Sequence, residues 1–114
     1  MKAYTDLKQS MKLTDILPLE SADMDYIPVV NTDNIDGEYS IIVNEWNNNH
    51  IIEEGWIPCW SLTALLSVLP SATLDSSNDH YYRLHCMERF TEWYDNPIDA
   101  CYEIITKLYE EKLI

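Results

Sequence analysis

The sequence has 114 residues and a formal net charge of −13, and 46% of its residues are hydrophobic. This length suits a single compact domain over residues 1–114, and the apolar content is high enough to offset chain entropy, which argues against wholesale disorder. The excess negative charge disfavours direct nucleic-acid binding and association with anionic membranes. Only two glycines are present, which nearly excludes a glycine-rich phosphate loop.

The N-terminal residues are polar and lack the apolar stretch of a secretory signal, and no apolar run is long enough to span a bilayer. These features predict a cytoplasmic protein. The three cysteines, Cys59, Cys86 and Cys101, are widely spaced and form no C-x-x-C pair. Free thiols in a reducing compartment therefore fit better than a disulfide framework or a zinc knuckle, and we expect neither a metal nor another cofactor.

The first predicted element is a helix over residues 4–20. Thr5 is the predicted N-cap, and Asp6 suits the positive end of the helix dipole. Pro18 predicts that the helix ends near Leu17, because a proline disfavours helical geometry in the residue before it.

Two runs rich in β-forming residues follow, at residues 26–30 and 38–46. The Asp-Gly pair at 36–37 lies between them and predicts a hairpin turn. Pro28 favours an edge position because proline cannot donate a ladder hydrogen bond. Residues 51–58 are expected to form a further short strand or extended segment.

A short helix is predicted over residues 61–69, with Ser61 as its cap and Pro70 at its end. Its side chains leave almost no polar face, so we expect it to be buried nearly all round. Residues 70–80 are predicted to form a polar loop, and 81–94 a pair of strands joined at Met87–Arg89.

The last predicted element is a helix in which Asn96 is the cap, Pro97 takes the first position and Asp99 lies in the first turn. One apolar stripe follows its length: Ile98, Cys101, Tyr102, Ile105, Leu108 and Tyr109. The elements together predict an α+β fold, with three helices on one face of a small, mainly antiparallel sheet. The N-terminal and C-terminal helices are expected to share that face.

Cys59 lies between two tryptophans, Trp56 and Trp60, which raises the question of a reactive thiol. A cysteine nucleophile needs a base and a field that favours the thiolate, whereas the acidic surroundings here raise a thiol pKa. None of the histidines stands in a recognisable catalytic context: His50, His80 and His85. A buried core or pocket-wall position is favoured for Cys59, and a cysteine-dependent enzyme is the weakest hypothesis.

Acidic side chains are concentrated in residues 20–40, which contain no lysine or arginine. This segment is the predicted partner-binding region, and its candidate residues are Asp23, Asp25, Asp33, Asp36 and Glu38. The exposed aromatic residues expected in the 81–94 hairpin are a second candidate surface.

Three stretches together, residues 4–24, 57–70 and 93–110, resemble a family of small uncharacterised proteins from phages, prophages and mobile elements of gut Bacteroidetes. The resemblance covers nearly half of the chain and carries no known activity, so it transfers no functional residues. It implies an accessory protein that acts by binding a host or phage protein.

Two further hypotheses remain beside a protein-binding accessory role without enzymatic activity. An acidic protein can mimic nucleic acid and inhibit a host defence protein when its carboxylates occupy phosphate positions on a basic target. The cysteine-dependent enzyme is the other. An edge strand near Pro28 and the surplus of aromatic residues are also compatible with a homodimer.

Overall fold

The computed structural model describes residues 2–28, 39–43 and 55–114. Within these ranges, none of the helices combines the length and hydrophobicity that a membrane span requires. The elements in chain order are α1 (Leu7–Thr14), a 3-10 turn (Leu19–Ser21), β1 (Met24–Pro28), β2 (Tyr39–Val43), β3 (Ile57–Cys59), α2 (Leu62–Val68), β4 (Thr73–Ser76), β5 (Tyr82–Cys86), β6 (Arg89–Phe90) and α3 (Pro97–Glu110).

The strands of the described residues form two antiparallel sheets of three strands each. The strand order is β2-β1-β3 in the first sheet and β4-β5-β6 in the second. The predicted α+β class is confirmed, although the strands form two sheets rather than one. A shared face for the terminal helices is not confirmed, because α1 packs against β3 of the first sheet and α3 against β5 of the second.

The sequence predicts that Pro28 lies in an edge strand. This prediction is wrong, because Pro28 belongs to β1, the central strand of the first sheet. β1 pairs with β2 along its whole length, but its pairing with β3 ends at Tyr26 opposite Ile57. Pro28 lies beyond that point and has a paired strand on one side only, which is where a sheet tolerates proline. The predicted turn at 36–37 falls outside the described residues.

α1 is shorter than predicted and has a different cap. Asp6, and not Thr5, is the N-cap: its carboxylate accepts a hydrogen bond from the Gln9 amide at 2.7 Å, and the Gln9 side chain accepts one from the Asp6 amide at 3.1 Å. This reciprocal capping box fixes the start of the helix. The Thr5 hydroxyl faces β3 instead. α1 ends at Thr14, well before Pro18.

α2 begins and ends where the sequence predicts. The Ser61 hydroxyl accepts a hydrogen bond from the Ala64 amide at 3.2 Å, and the helix stops before Pro70. It is not buried all round, because Thr63 and Ser67 are exposed.

The segment predicted as a polar loop, residues 70–80, contains strand β4. This strand pairs with β5 from Thr73 opposite His85 to Ser76 opposite Tyr82. It is an edge strand with exposed ends at Thr73 and Ser76, and such a position tolerates polar residues. Pairing with β5, rather than a local apolar pattern, stabilises it.

The predicted hairpin of residues 81–94 is confirmed, with a second strand of only two residues. Met87 and Glu88 both adopt positive φ angles, 51° and 64°, as a two-residue type I′ hairpin turn requires. After β6 the chain leaves the ladder and returns to β5 through an isolated bridge between Tyr82 and Tyr94.

The core lies where α1, α2, α3 and β5 meet. The predicted stripe of α3 is confirmed at Ile98, Cys101, Ile105 and Leu108, which are fully buried, while Tyr109 is 44% exposed. The buried cluster consists of Leu13, Leu17, Ala22, Trp60, Ala64, Leu65, Leu69, Leu84, Cys86, Ile98, Ala100, Cys101, Ile104, Ile105 and Leu108.

Asp99 connects the N-terminal segment to α3. Its carboxylate accepts hydrogen bonds from the Lys2 ammonium and from the Gln9 amide nitrogen, each at 2.8 Å, and a further one from the Asn96 side chain. Burial alone raises the pKa of the Asp99 carboxyl, but the hydrogen bonds from Lys2, Asn96 and Gln9 outweigh it, so that the pKa is lowered overall.

Candidate functional site

Cys59 lies in a closed cluster of small polar groups between the N-terminal segment and β3. Its thiol is fully buried, donates to the Thr5 carbonyl at 3.4 Å and accepts from the Thr5 hydroxyl at 3.6 Å. That hydroxyl lies 2.7 Å from the Ser10 hydroxyl and accepts a hydrogen bond from the Trp60 amide at 3.1 Å. We call these four residues, Thr5, Ser10, Cys59 and Trp60, the polar junction. The predicted core position of Cys59 is confirmed.

The environment of Cys59 is the opposite of one that activates a nucleophile. Burial raises the pKa of its thiol, and the hydrogen bonds from Thr5 and Ser10 only partly offset that effect. A raised thiol pKa lowers the fraction of thiolate at neutral pH. Within the described residues, hydroxyl groups such as those of Thr5 and Ser10 contact the thiol, where a catalytic thiol would contact a histidine.

The other two cysteines have no partner for metal binding or disulfide formation among the described residues. Cys86 and Cys101 are free and buried, and burial raises the pKa of Cys101 to about 12. His85 is adjacent to Cys86 but its ring stacks on Phe90, on the opposite side of β5. His50 falls outside the described residues. Among those described, no cluster of three or more His, Cys, Asp or Glu side chains could hold a metal ion.

Two of the five predicted partner-binding carboxylates lie in the described part of the chain, and both are held inside the fold. The Asp23 carboxylate accepts a hydrogen bond from the Ser61 amide at 2.9 Å and another from the Ser61 hydroxyl, so it reinforces the start of α2. Asp25 is fully buried in the central strand β1. The other three, Asp33, Asp36 and Glu38, fall outside the described residues. A role for this segment in partner binding stays a prediction.

The outer side of the second sheet presents the most exposed aromatic surface of the described chain. Residues of β5 alternate, so that Leu84 and Cys86 are buried against α3 while Arg83 and His85 face outward. Three large rings nearby are 44–49% exposed. We call the outward set the aromatic face: Tyr81, Arg83, His85, Phe90 and Trp93.

Four of the five side chains of the aromatic face are stacked in a row: His85, Phe90, Arg83 and Trp93. The Arg83 guanidinium lies over two rings, 4.5 Å from the Phe90 centroid and 4.7 Å from the Trp93 centroid. The His85 ring stacks on Phe90 with centroids 4.2 Å apart and planes 4° from parallel. These contacts are cation–π and π-stacking interactions, which hold otherwise exposed rings in defined orientations.

A carboxylate on the neighbouring strand anchors this row. Nη2 of Arg83 donates to Asp75 at 3.3 Å, and the two residues are directly paired across β4 and β5. Nε of Arg83 is buried without a hydrogen-bond partner in the described part of the chain. The ion pair with Asp75 and stacking on the two rings together hold the guanidinium in position.

The rim of the aromatic face is acidic. Exposed carboxylates follow the loops and turns around it: Asp79, Glu88, Glu92 and Asp95. Nearby cations are engaged, since Arg89 pairs with Glu111 at 2.5 Å and Lys107 donates to the Phe90 carbonyl at 3.4 Å.

The described surface includes a cleft near the aromatic face and a groove beside α1. A cleft of about 350 Å³ lies beside the aromatic face and is lined by Ser77, Asp79, Tyr81 and Trp93. A smaller apolar groove of about 170 Å³ runs between α1 and β3, with Met11 and Trp56 among its lining residues.

Sequence reasoning identified the aromatic residues of 81–94 as a candidate surface but missed Arg83 and Asp79. The alternation of Tyr81, Arg83 and His85 along one strand face was the available signal for the first of these. Nothing in the local sequence indicates that Asp79 shares a cleft with Trp93, because the bridge between Tyr82 and Tyr94 creates that proximity.

Comparison of the chain with protein-family models, with curated proteins and with solved structures found no match. Membership of the phage and mobile-element family therefore stays a prediction from the three sequence stretches.

Proposed function

We propose that this chain is a cytoplasmic protein-binding module without enzymatic activity, and that it recognises its partner through the aromatic face. The observation that carries the proposal is the ordered, exposed row of Arg83, Phe90 and Trp93 on the second sheet. The resemblance to phage and mobile-element proteins supports an accessory role in such an element.

The composition of this face matches that of protein interfaces. Tryptophan, tyrosine and arginine are the residue types that contribute most binding energy in such interfaces. The rings of Phe90 and Trp93 are already held by Arg83, so that binding need not order them and the entropic cost of association is reduced.

Charge indicates the kind of partner. The acidic rim and the net charge of −13 favour a protein whose own surface is basic around an apolar centre. The same charges disfavour a homodimer through this face, because two acidic rims would then be brought together.

Affinity capture from a bacterial host lysate tests the proposal when it is combined with surface variants. The double variant Phe90→Ala/Trp93→Ala removes two exposed rings, and Met11→Ala, which lies in the groove between α1 and β3, removes an equally exposed side chain elsewhere. Wild type and Met11→Ala should recover the same protein, and the double variant should lose it. Thermal unfolding of all three proteins checks that each is folded.

Two outcomes contradict the proposal. One is recovery of the partner by the double variant at the wild-type level. The other is loss of the partner on Met11→Ala alone, which would place binding in the groove between α1 and β3.

A further inference from the structure

We infer that the cleft between Tyr81 and Trp93 binds the guanidinium of an arginine side chain presented by a basic peptide segment. The inference deepens the proposed function, on which it rests for the existence of a protein partner, and it identifies the chemical group that this partner inserts. The first basis is the lining of the cleft, which consists of two aromatic rings, a carboxylate and a hydroxyl: Tyr81, Trp93, Asp79 and Ser77.

Each lining group suits a planar cation. Aromatic faces attract a guanidinium through their negative π surface, and a carboxylate pairs with its N–H donors in a bidentate geometry. The Asp79 carboxylate is exposed and makes no hydrogen bond or ion pair with the described part of the chain, so it is available to a ligand. An anionic group is disfavoured in the same cleft because it would approach that carboxylate.

The chain itself shows that the Trp93 ring accepts a guanidinium. Arg83 stacks on Trp93 at 4.7 Å and is paired with Asp75. Since an indole has two π faces, one bound guanidinium leaves the second for a ligand. The ion pair with Asp75 also reduces the repulsion that Arg83 would otherwise exert on an incoming cation.

Backbone hydrogen bonds fix the cleft before a ligand arrives. The Ser77 amide donates to the Tyr81 carbonyl at 2.9 Å, and the Ser77 hydroxyl accepts from the Tyr81 amide at 3.2 Å. On the other side, Tyr82 and Tyr94 exchange backbone hydrogen bonds of 2.6 and 2.8 Å, which hold Trp93 beside the turn. The volume of about 350 Å³ lies in the range of small-ligand pockets.

Binding is tested by NMR titration of the intact protein with a capped Gly-Gly-Arg-Gly-Gly peptide. We expect saturable shifts of the backbone amides of residues 77–81 and of the Trp93 indole N–H. The same peptide with citrulline in place of arginine keeps the shape of the side chain but has no charge, and it should give no saturable shift. Absence of saturation with the arginine peptide, or equal binding of the citrulline peptide, overturns the inference.

Matched variants distinguish specific binding in the cleft from attraction of the peptide by the overall negative charge of the protein. Asp79→Asn should weaken binding of the arginine peptide about fivefold, since an exposed charge pair is lost. Glu110→Gln removes the same charge at the exposed end of α3, outside the cleft lining and the acidic rim, and should leave the affinity within about twofold of wild type. Equal weakening by both variants would show that net charge alone attracts the peptide, and it would overturn the inference.

The peptide titration tests the cleft assignment and the lysate capture tests the proposed function, so either proposal can be contradicted while the other is supported. Binding of the arginine peptide without a partner in the lysate would contradict the proposed function and leave the cleft assignment intact. A partner lost on Phe90→Ala/Trp93→Ala, together with no peptide binding, would support the proposed function and contradict the cleft assignment.

Discussion

The polar junction and the aromatic face each contain a tryptophan, and they use it in opposite ways. In the polar junction, Trp60 is fully buried and its indole N–H donates to the Ser21 hydroxyl at 3.0 Å. In the aromatic face, Trp93 is 44% exposed and one of its ring faces is covered by Arg83. A buried indole with a satisfied N–H stabilises the fold, whereas an exposed and oriented indole is available for binding. Neighbouring groups, rather than residue type, determine which role a tryptophan takes.

The largest expected effect is on the labelling rate of the three thiols, which are all buried. Because Cys59, Cys86 and Cys101 are buried and each has a raised pKa, a disulfide reagent at neutral pH should label them at least about a thousandfold more slowly in the native state than after unfolding. The measurement is a time course of thiol release with and without denaturant.

A variant with Cys86 and Cys101 replaced by alanine isolates the third thiol. Rapid, stoichiometric labelling of native Cys59 in that variant would break the comparison and favour the cysteine-dependent enzyme.

Replacement of each tryptophan by alanine directly compares how much Trp60 and Trp93 contribute to the free energy of unfolding. Trp60→Ala should reduce the free energy of unfolding by about 3–5 kcal/mol, because it leaves a large cavity in the core. Trp93→Ala should reduce it by less than about 1 kcal/mol, as expected for an exposed side chain. Urea unfolding of both variants and the wild type gives the two values. Similar losses from the two substitutions would contradict the assignment of separate structural and binding roles.

The smallest expected effect concerns Asp99, which ties the segment leading into the polar junction to α3. The pKa of the Asp99 carboxyl is lower in the folded state than in the unfolded chain, where it is about 3.9. The ionised carboxylate therefore stabilises the fold at pH values above the unfolded pKa. This contribution is lost as the pH falls through the folded pKa. At pH 7, Asp99→Asn should cost about 1 kcal/mol. The difference between wild type and variant should shrink as the pH falls below the unfolded value of about 3.9 and through the lower folded value.

Urea unfolding at pH 7 and at pH 3 measures this dependence. Glu110→Gln, an exposed position at the end of α3, is the control and should have little effect at either pH. A cost for Asp99→Asn that persists unchanged at pH 3 would show that the ionised carboxylate is not the stabilising form.

Helix boundaries were predictable where local chemistry sets them. Ser61 and Asn96 cap their helices as the sequence indicates, and Pro97 occupies the first position of α3. The cap of α1 was misassigned by one residue. Thr5 and Asp6 are both suitable caps in isolation, and the tertiary contacts of the Thr5 hydroxyl with Ser10 and Trp60 decide between them.

Features that depend on pairing between distant segments were not predictable in the same way. β4 forms because β5 provides a partner, although its own sequence has the composition of a loop. Asp25 was predicted to be a surface carboxylate because it lies in the acidic 20–40 segment, yet β1 is flanked by strands on both sides at that residue and Asp25 is fully buried. The cleft at Trp93 likewise depends on the Tyr82–Tyr94 bridge.

The hydrogen bond between Lys2 and Asp99 joins residues 97 positions apart in the sequence. A contact of that span closes a loop of nearly the whole chain, so its entropic cost is offset only after the intervening elements have assembled. We expect it to form late in folding and to be absent from the transition state. α1 should then detach first when the native state opens locally, and hydrogen exchange in α1 should be faster than in α3.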